Sequence, residues 1–577
     1  MEPEVKGDPS NTLKPVHFRI FAALSALGGL AALFFTFAEK SEARNARFGG
    51  YSLSRWGLGL ATAALTLFFI LALLRDLRTD GAFSGRLDRQ LCRGDRAWFG
   101  FIGSLLCLYL SLWAFKFSWL FIPKNMRPQI VWAGLISLSA AVTLFTAFRE
   151  RFKTGGLREK YRLFPRLRDL SRKQKQTLLI LLVLGLIYIA VLMPSNINGS
   201  RDWDDFRHYG GDEYVIYPIL QNVLTPGDDF SATLYHHYIH EDYHYGYPFY
   251  AVSSLFMYPI RLFIGPDFMQ RIDLTLPTLR TMVSVVPLML GCLILVYMTT
   301  RFESPWLSPA VYLFLLTAPG SLQNNQGFWH PDGLNLFFVC TALYFMQRDR
   351  LRYGRNFFFA AFWIGLSAAT RLFGFFFFLA VGVYLLYGLF RKLLDLRRML
   401  GKGLLFILIM AGTILWSDPF LFRSDARQNM IAILTEKTGE MATGYNADFN
   451  DPKNDYRPGW NAWYPAFEDH FTEMYCFFFL IASLLAACFL GRERWTYRIL
   501  ALWWVVVSVY LIWFVAVKST QYVLPMMLPL MSCIFALPRA LRELGSRRIR
   551  LTALILSGGV FLSQLIINII KIAPRFR

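Results

Sequence analysis

Charge is what this chain has little of. Asp, Glu, Lys and Arg together make up 17% of its 577 residues, whereas 55% are hydrophobic and 17% aromatic. A soluble protein carries roughly 25% charged residues, so the class of large soluble enzymes is excluded and a polytopic membrane protein is indicated. Acidic residues are scarcer still, 39 against 60 Lys and Arg, for a formal net charge of +21. Such a balance can mark a nucleic-acid binder. Here the basic residues fall in short runs between apolar segments, the pattern of cytoplasmic loops that also face anionic lipid. Nucleic acid is therefore not an expected partner. Cysteine is sparse as well: Cys92, Cys107, Cys292, Cys340, Cys476, Cys488 and Cys533 form an odd, scattered set without metal-type spacing. Neither a disulfide framework nor a cysteine zinc site is expected. No internal repeat is found, and no pair of interrupted segments recurs in two halves as inverted-repeat transporters tend to show.

Long apolar runs are what the chain has in abundance. A crossing helix takes roughly 20 apolar residues, and fifteen segments are candidates: about 17–38, 56–74, 97–121, 129–148, 177–195, 279–300, 306–319, 331–347, 356–370, 372–390, 403–417, 475–490, 498–516, 522–538 and 551–571. The first is too long for the apolar region of a signal peptide and is read as a retained span. The expected fold class is an all-α polytopic membrane protein. Residues 1–148 form a four-helix extension, and 149–176, with eleven Lys or Arg, a cytoplasmic linker. Residues 177–577 form the main membrane region.

The loops alternate in charge. Residues 75–96, 348–355, 391–402, 491–498 and 539–550 are basic and are placed inside. Two long loops, 196–278 and 418–474, are placed outside; together they hold 21 of the 39 acidic residues and none of the cysteines. The apolar stretch Pro248 to Gly265 tests this topology, because a crossing there would turn the later Arg-rich loops outward. It is predicted to lie along the interface as a helix, and Pro259 within it disfavours a straight span.

The first outer loop opens with RDWDDFRHYGGDEYVIYPIL, which gathers Asp202, Asp204, Asp205, Asp212 and Glu213 where a span surfaces. Carboxylates there can act as bases, hold a cation, or remain solvated. Asp212 alternatively caps a helix starting near Tyr214. Asp202 and Asp204 form an Asp-Trp-Asp that is commonest as solvated charge. Seven of the eight histidines are outside. His236 and His240, four apart, have a workable spacing for a divalent cation, although the tyrosine-rich YHHYIHEDYHYGY around them equally suits packing. The cofactor expectation is thus none or a divalent cation.

GGDEYVIYPIL resembles the Asp-Glu signature of membrane glycosyltransferases of the GT-C class. The closest likeness is to family 39, the protein-mannosyl and lipid A aminoarabinose transferases. YGYPFYAVSSLF, LRTMVSVVPLMLGCLILVYM, HPDGLNLFFVCTALYFMQR, AATRLFGFFFF and KSTQYVLPMMLPLM follow in that family's order, so the likeness spans roughly residues 177 to 540. The first four spans and the detail of loop 418–474 have no counterpart.

The resemblance implies a GT-C-like core and a polyprenyl-phosphate sugar as donor. The acceptor would be a glycan, lipid or protein on the outer face, and Asp212 the base of an inverting displacement. Glu213 and Asp332 join it as carboxylates of the site; Glu213 alternatively orients a neighbour or binds a cation, and Asp332 caps its helix with Pro331 at an early position. Attack on an anomeric carbon needs a base in reach of the incoming hydroxyl or amine and positive charge on the departing phosphate. Arg280, Arg371 and Lys518 are the candidates for that charge. Arg371 is the sharpest, since an ionisable residue in an apolar run must face water, a partner or a ligand. Snorkelling to the interface is the alternative for Arg371 and Lys518. Trp460, Trp463 and Tyr464 are candidates for stacking on an acceptor, or for an interfacial aromatic belt. The expected location is a bacterial inner membrane with the site facing outward. A transporter or flippase for a lipid-linked or anionic solute, or a non-catalytic protein of the same fold, are the rival readings.

Overall fold

The computed structural model describes residues 15–37, 53–79, 82–84, 170–209, 211–228, 230–240, 243–443, 458–491, 493–541 and 547–576. The predicted spans 97–121 and 129–148, most of the basic linker, Cys92 and Cys107 lie outside these residues. The described residues are helical, with no strand among them. The chain divides into two compact units, residues 1–165 with 226–235, and residues 166–225 with 236–577.

In the first unit, α1 (Pro15–Phe37) and α2 (Leu53–Arg78) pack against each other. Arg19 near the start of α1 pairs with buried Asp76 near the end of α2, Nε to Oδ2 3.0 Å. Phe37 and Trp56 meet at the other ends, 5.3 Å between centroids, so the pair is antiparallel.

The second unit holds the site. Its elements in order are α3 (Arg172–Ile197), α4 (Asp212–Leu224), α5 (Tyr247–Ile264), α6 (Ile272–Thr300), α7 (Asp332–Asp349), α8 (Arg355–Thr370), α9 (Phe377–Phe390), α10 (Leu396–Ser417), α11 (Trp460–His470), α12 (Arg494–Phe514), α13 (Thr520–Met531) and α14 (Arg547–Ile572), with shorter helices between them. Helix α7 is the centre. It packs on α6, α8, α12 and α13, and nearly all of its side chains are buried.

Eight helices among the described residues are long and apolar enough to cross a membrane, or nine if the bent pair α11 and Met474–Phe489 counts as one span. The chain is thus an integral, multi-pass membrane protein of all-α class. The count is lower than the fifteen apolar segments. Predicted spans 306–319 and 356–370 fold as the shorter helices Leu307–Leu316 and Arg355–Thr370. Span 331–347 is α7, which carries Asp332, Arg348 and Asp349. Because α7 is surrounded by other helices, it is shielded from lipid and does not need their hydropathy.

Helix α5, the predicted interfacial segment, is not among the eight. One face buries Phe249, Tyr250, Ser253 and Met257, while Leu262 and Phe263 stay 86% and 90% exposed. A π turn, Arg280–Val285, interrupts α6 between Pro277 and Pro287. Such bulges occur inside α-helices where the regular ladder is broken, and this one begins at a residue of the site.

Candidate functional site

Three breaks in the chain meet at the Asp332 end of α7. His330 precedes the helix, Arg371 is the C-cap residue of α8, and Tyr245 lies in the turn before α5. The turn comes this close because residue 246 is glycine: a Cβ there would lie 1.5 Å from the carbonyl oxygen of Ala369. On the other side, Gly333 lets α7 approach α6, where a Cβ would meet the Ser284 carbonyl oxygen at 2.3 Å. Ser284 then pins the backbone of His330. Its Oγ accepts the His330 N–H at 2.9 Å and donates to the His330 carbonyl at 3.1 Å.

The His330 ring is fully buried, stacked on Phe328 at 4.7 Å. Its Nδ1 lies against Oδ2 of Asp332. A carboxylate at Nδ1 draws the imidazole proton to that nitrogen, which leaves Nε2 as the acceptor. Two donors compete for Nε2: the Tyr245 hydroxyl at 2.7 Å and Nη2 of Arg371 at 2.9 Å. Arg371 also stands by Asp332, Nε to Oδ1 3.3 Å, and its guanidinium lies over the rings of Tyr245 (5.2 Å) and Tyr522 (5.6 Å). Burial holds His330 below the usual imidazole range, with Arg371 acting in the same direction against Asp332. Burial likewise pushes the Tyr245 phenol up. Near neutral pH this leaves a neutral imidazole, a protonated phenol and a guanidinium that keeps its charge.

Asp212 is the first residue of α4. It is exposed, and the N-cap position belongs to Gly211, with no side-chain cap. The capping role expected as its alternative is therefore absent, and the carboxylate has no hydrogen-bond partner among the described residues. It is near enough to His330 and Tyr245 for its charge to act on both. Asp332 does not cap its helix either; its carboxylate faces His330 and Arg371. Asp212, Asp332 and Arg371 are thus brought to one end of the bundle.

Glu213 and Arg280 are held differently. Arg280 grips Glu213 with Nε at 2.9 Å from Oε1 and Nη2 at 2.5 Å from Oε2, and its Nη1 donates to the carbonyls of Asn196 (2.9 Å) and Asn198 (2.6 Å). The Trp329 N–H donates to Oε1 of Glu213 as well. Burial pushes the Glu213 carboxyl up, while Arg280 and the Trp329 amide work against that push. Both side chains are enclosed, 0% and 1% exposed. Of the five guanidinium N–H donors, four are taken, so the phosphate-binding role expected of Arg280 and the catalytic role expected of Glu213 give way to a clamp. It ties α3, α4, α6 and the segment before α7 together.

The other expected residues have different surroundings, although Nε2 of His240 lies 3.2 Å from the Tyr245 carbonyl oxygen. Lys518 donates to the Ala516 carbonyl at 2.9 Å, with its ammonium 5.9 Å from the Trp463 ring. Trp463 is wholly buried, its Nε1–H donating to the Val515 carbonyl at 2.8 Å. Trp460 packs on Phe467, Phe477 and Phe478. A 99° bend between α11 and Met474–Phe489 brings Phe477 and Phe478 onto half-buried Trp460, and of the three acceptor candidates Tyr464, 39% exposed, is the most open. His240 sits among Tyr243, Tyr250 and Phe420, and Nδ1 of His236 lies 3.2 Å from the Thr225 carbonyl oxygen. Among the described residues no group of three His, Cys, Asp or Glu can hold a metal ion. Asp202 accepts the Asp205 N–H at 2.8 Å and so caps the short helix Trp203–Tyr209, and Asp204 is solvated.

Sequence reasoning passed over Tyr245, Tyr522, Ser284 and Asp418. The first two lie inside quoted motifs, where one tyrosine among many carries no local signal. Asp418 is buried at the end of α10 and accepts the Tyr247 N–H at 2.8 Å, fixing the turn that carries Tyr245; burial raises its carboxyl well above the usual range. No protein-family model matches the chain, and no curated protein matches it.

Proposed function

We propose that this protein is a membrane glycosyltransferase of GT-C type, which moves a sugar from a polyprenyl-phosphate donor to an acceptor on the outer face. One observation carries the reading: an exposed, unpartnered carboxylate, Asp212, stands beside a buried His330–Asp332–Arg371 cluster at one end of a membrane bundle. A polyprenyl-phosphate sugar keeps its tail in the bilayer and its reacting carbon at this level. Asp212 takes the proton of the acceptor hydroxyl or amine as the acceptor oxygen or nitrogen bonds to the anomeric carbon. The bond from that carbon to the phosphate oxygen breaks, and polyprenyl phosphate leaves with the electron pair. A single displacement inverts the anomeric centre. Arg371 meets the growing negative charge. Because Tyr245 and Arg371 share one acceptor at His330 Nε2, either donor can turn to a phosphate oxygen while the other keeps the imidazole satisfied. Asp332 holds Arg371 and His330 in position.

The test is turnover of radiolabelled polyprenyl-phosphate sugars by the purified protein and by Asp212→Asn. Loss of a general base lowers turnover by roughly 10²–10⁴-fold, with carrier binding retained. Equal turnover by both proteins removes Asp212 from the mechanism. Lipid movement without sugar cleavage replaces the reading with a flippase.

A further inference from the structure

The end of the bundle opposite the His330 cluster carries a second feature that the proposed transfer does not use. Helix α7 runs from Asp332 to Asp349, so its two ends are separated by roughly 25 Å at about 1.5 Å per residue. At the far end a hollow of about 450 Å³ is lined by Arg391, Lys392, Arg494 and Arg498, with no acidic residue in its wall. None of these cations has a carboxylate partner among the described residues. Arg494 and Arg498 lie on the first two turns of α12, where the helix dipole already presents its positive end. Glu493, the N-cap residue, offsets part of that potential but is paired with Arg301, and Arg494 and Arg498 add two charges with no carboxylate of their own. Lys392 adopts the left-handed backbone region, φ 56°.

A larger cavity of about 1020 Å³ shares Arg494 and Trp495 with the hollow and adds Arg350 and Arg539. Its acids are already matched: Glu493 pairs with Arg301 at 3.2 Å and Glu303 with Arg539 at 3.7 Å. Tyr497 in its wall is buried, and its hydroxyl has no hydrogen-bond partner among the described residues. The rim of the hollow is apolar. Phe390 is 80% exposed and Leu393 52%, beside Trp495.

Uncompensated cations call for an anion, and an exposed apolar rim calls for one that carries a hydrocarbon part. We propose that this end of the bundle is a binding site for an anionic phospholipid. Arg494, Arg498, Arg391 and Lys392 grip the phosphate diester, and Phe390 and Leu393 meet the glycerol and acyl region. By the positive-inside rule this end faces the cytoplasm, the leaflet whose lipids are most anionic. The inference is independent of the transfer reaction.

The test titrates purified full-length protein in neutral detergent with phosphatidylglycerol, phosphatidylcholine and inorganic phosphate. Bound lipid is counted by native mass spectrometry and Tm is recorded. Phosphatidylglycerol is expected to bind preferentially, and Arg494→Gln/Arg498→Gln to weaken it roughly ten- to thirtyfold. The same-end control Arg547→Gln/Arg548→Gln, at two exposed arginines, is expected to leave binding unchanged. Phe390→Ser is expected to weaken the lipid without changing the response to inorganic phosphate. Undiminished binding by Arg494→Gln/Arg498→Gln, an equal loss in the control, or displacement of the lipid by inorganic phosphate at equal occupancy each overturns the proposal.

Discussion

Two arginines meet carboxylates at the same end of this bundle, and they are built to opposite specifications. Arg280 and Glu213 form a saturated pair, bidentate, with backbone carbonyls and an amide on the remaining atoms. Arg371 and Asp332 form a loose one, with Nε and Oδ1 3.3 Å apart without an aligned hydrogen bond and the arginine side chain 12% exposed. A buried charge with four of its five donors occupied stabilises an arrangement and has little left for a ligand. A buried charge with unfilled capacity is costly unless something arrives to fill it. Burial alone does not separate structure from function here; saturation does.

The largest expected effect falls on the saturated pair. Glu213→Ala leaves the buried charge of Arg280 with only the Asn196 and Asn198 carbonyls, a loss of about 3–5 kcal/mol, read as a collapse of folded yield and Tm in detergent. If Glu213→Ala folds as well as the parent, the clamp is not structural.

Arg371→Gln should do the reverse. Turnover falls roughly 10²–10³-fold, as when a transition-state donor is removed, while Tm falls less than for Glu213→Ala, because His330 remains beside Asp332. A Tm loss as large as that of Glu213→Ala would erase the distinction between the pairs.

Asp418 sharpens the comparison through pH. Its carboxyl titrates near 3.8 in the unfolded chain and well above that in the fold, so the folded state prefers the proton. That contribution is complete below the unfolded value and is lost as pH rises toward the folded one, about 1.4 kcal/mol for each unit between them. Asp418→Asn keeps an acceptor for the Tyr247 amide and removes the titration. The decline in Tm from pH 4 to pH 8 should therefore be shallower in the variant; parallel curves would discount this carboxyl.

Tyr245→Phe is the smallest change. It deletes one of two donors to His330, worth about 1 kcal/mol, and should lower turnover several-fold with Arg371 still in place. Turnover as low as that of Arg371→Gln would make the phenol, not the guanidinium, the principal donor.

Much of the site was legible before any coordinates. Asp212 and Asp332 stood out as carboxylates beside apolar runs, and Arg371 as a charge inside one. The structure brings the last two together and sets Asp212 within electrostatic reach. The pairing of Glu213 with Arg280 was not legible, because nothing in DEYVIYPIL or LRTMVSVV says that the two side chains face each other. The burial of Trp463 was not legible because its indole packs on Phe467 and donates to the carbonyl of Val515, 52 residues away. Among the described residues fewer helices than apolar segments are both long and apolar enough to cross, because an enclosed helix such as α7 carries charge at its ends and others are short.

The chain's local chemistry determined the membrane class, the helices and the partition of acid and base between loops, because hydropathy and charge act over a helix length or less. Tertiary structure decided which carboxylate each arginine faces, across 67 residues for Glu213 and Arg280 and 41 between His330 and Arg371. Partners that far apart are chosen by how helices pack and where Gly246 and Gly333 let backbones touch, and no local period records that choice.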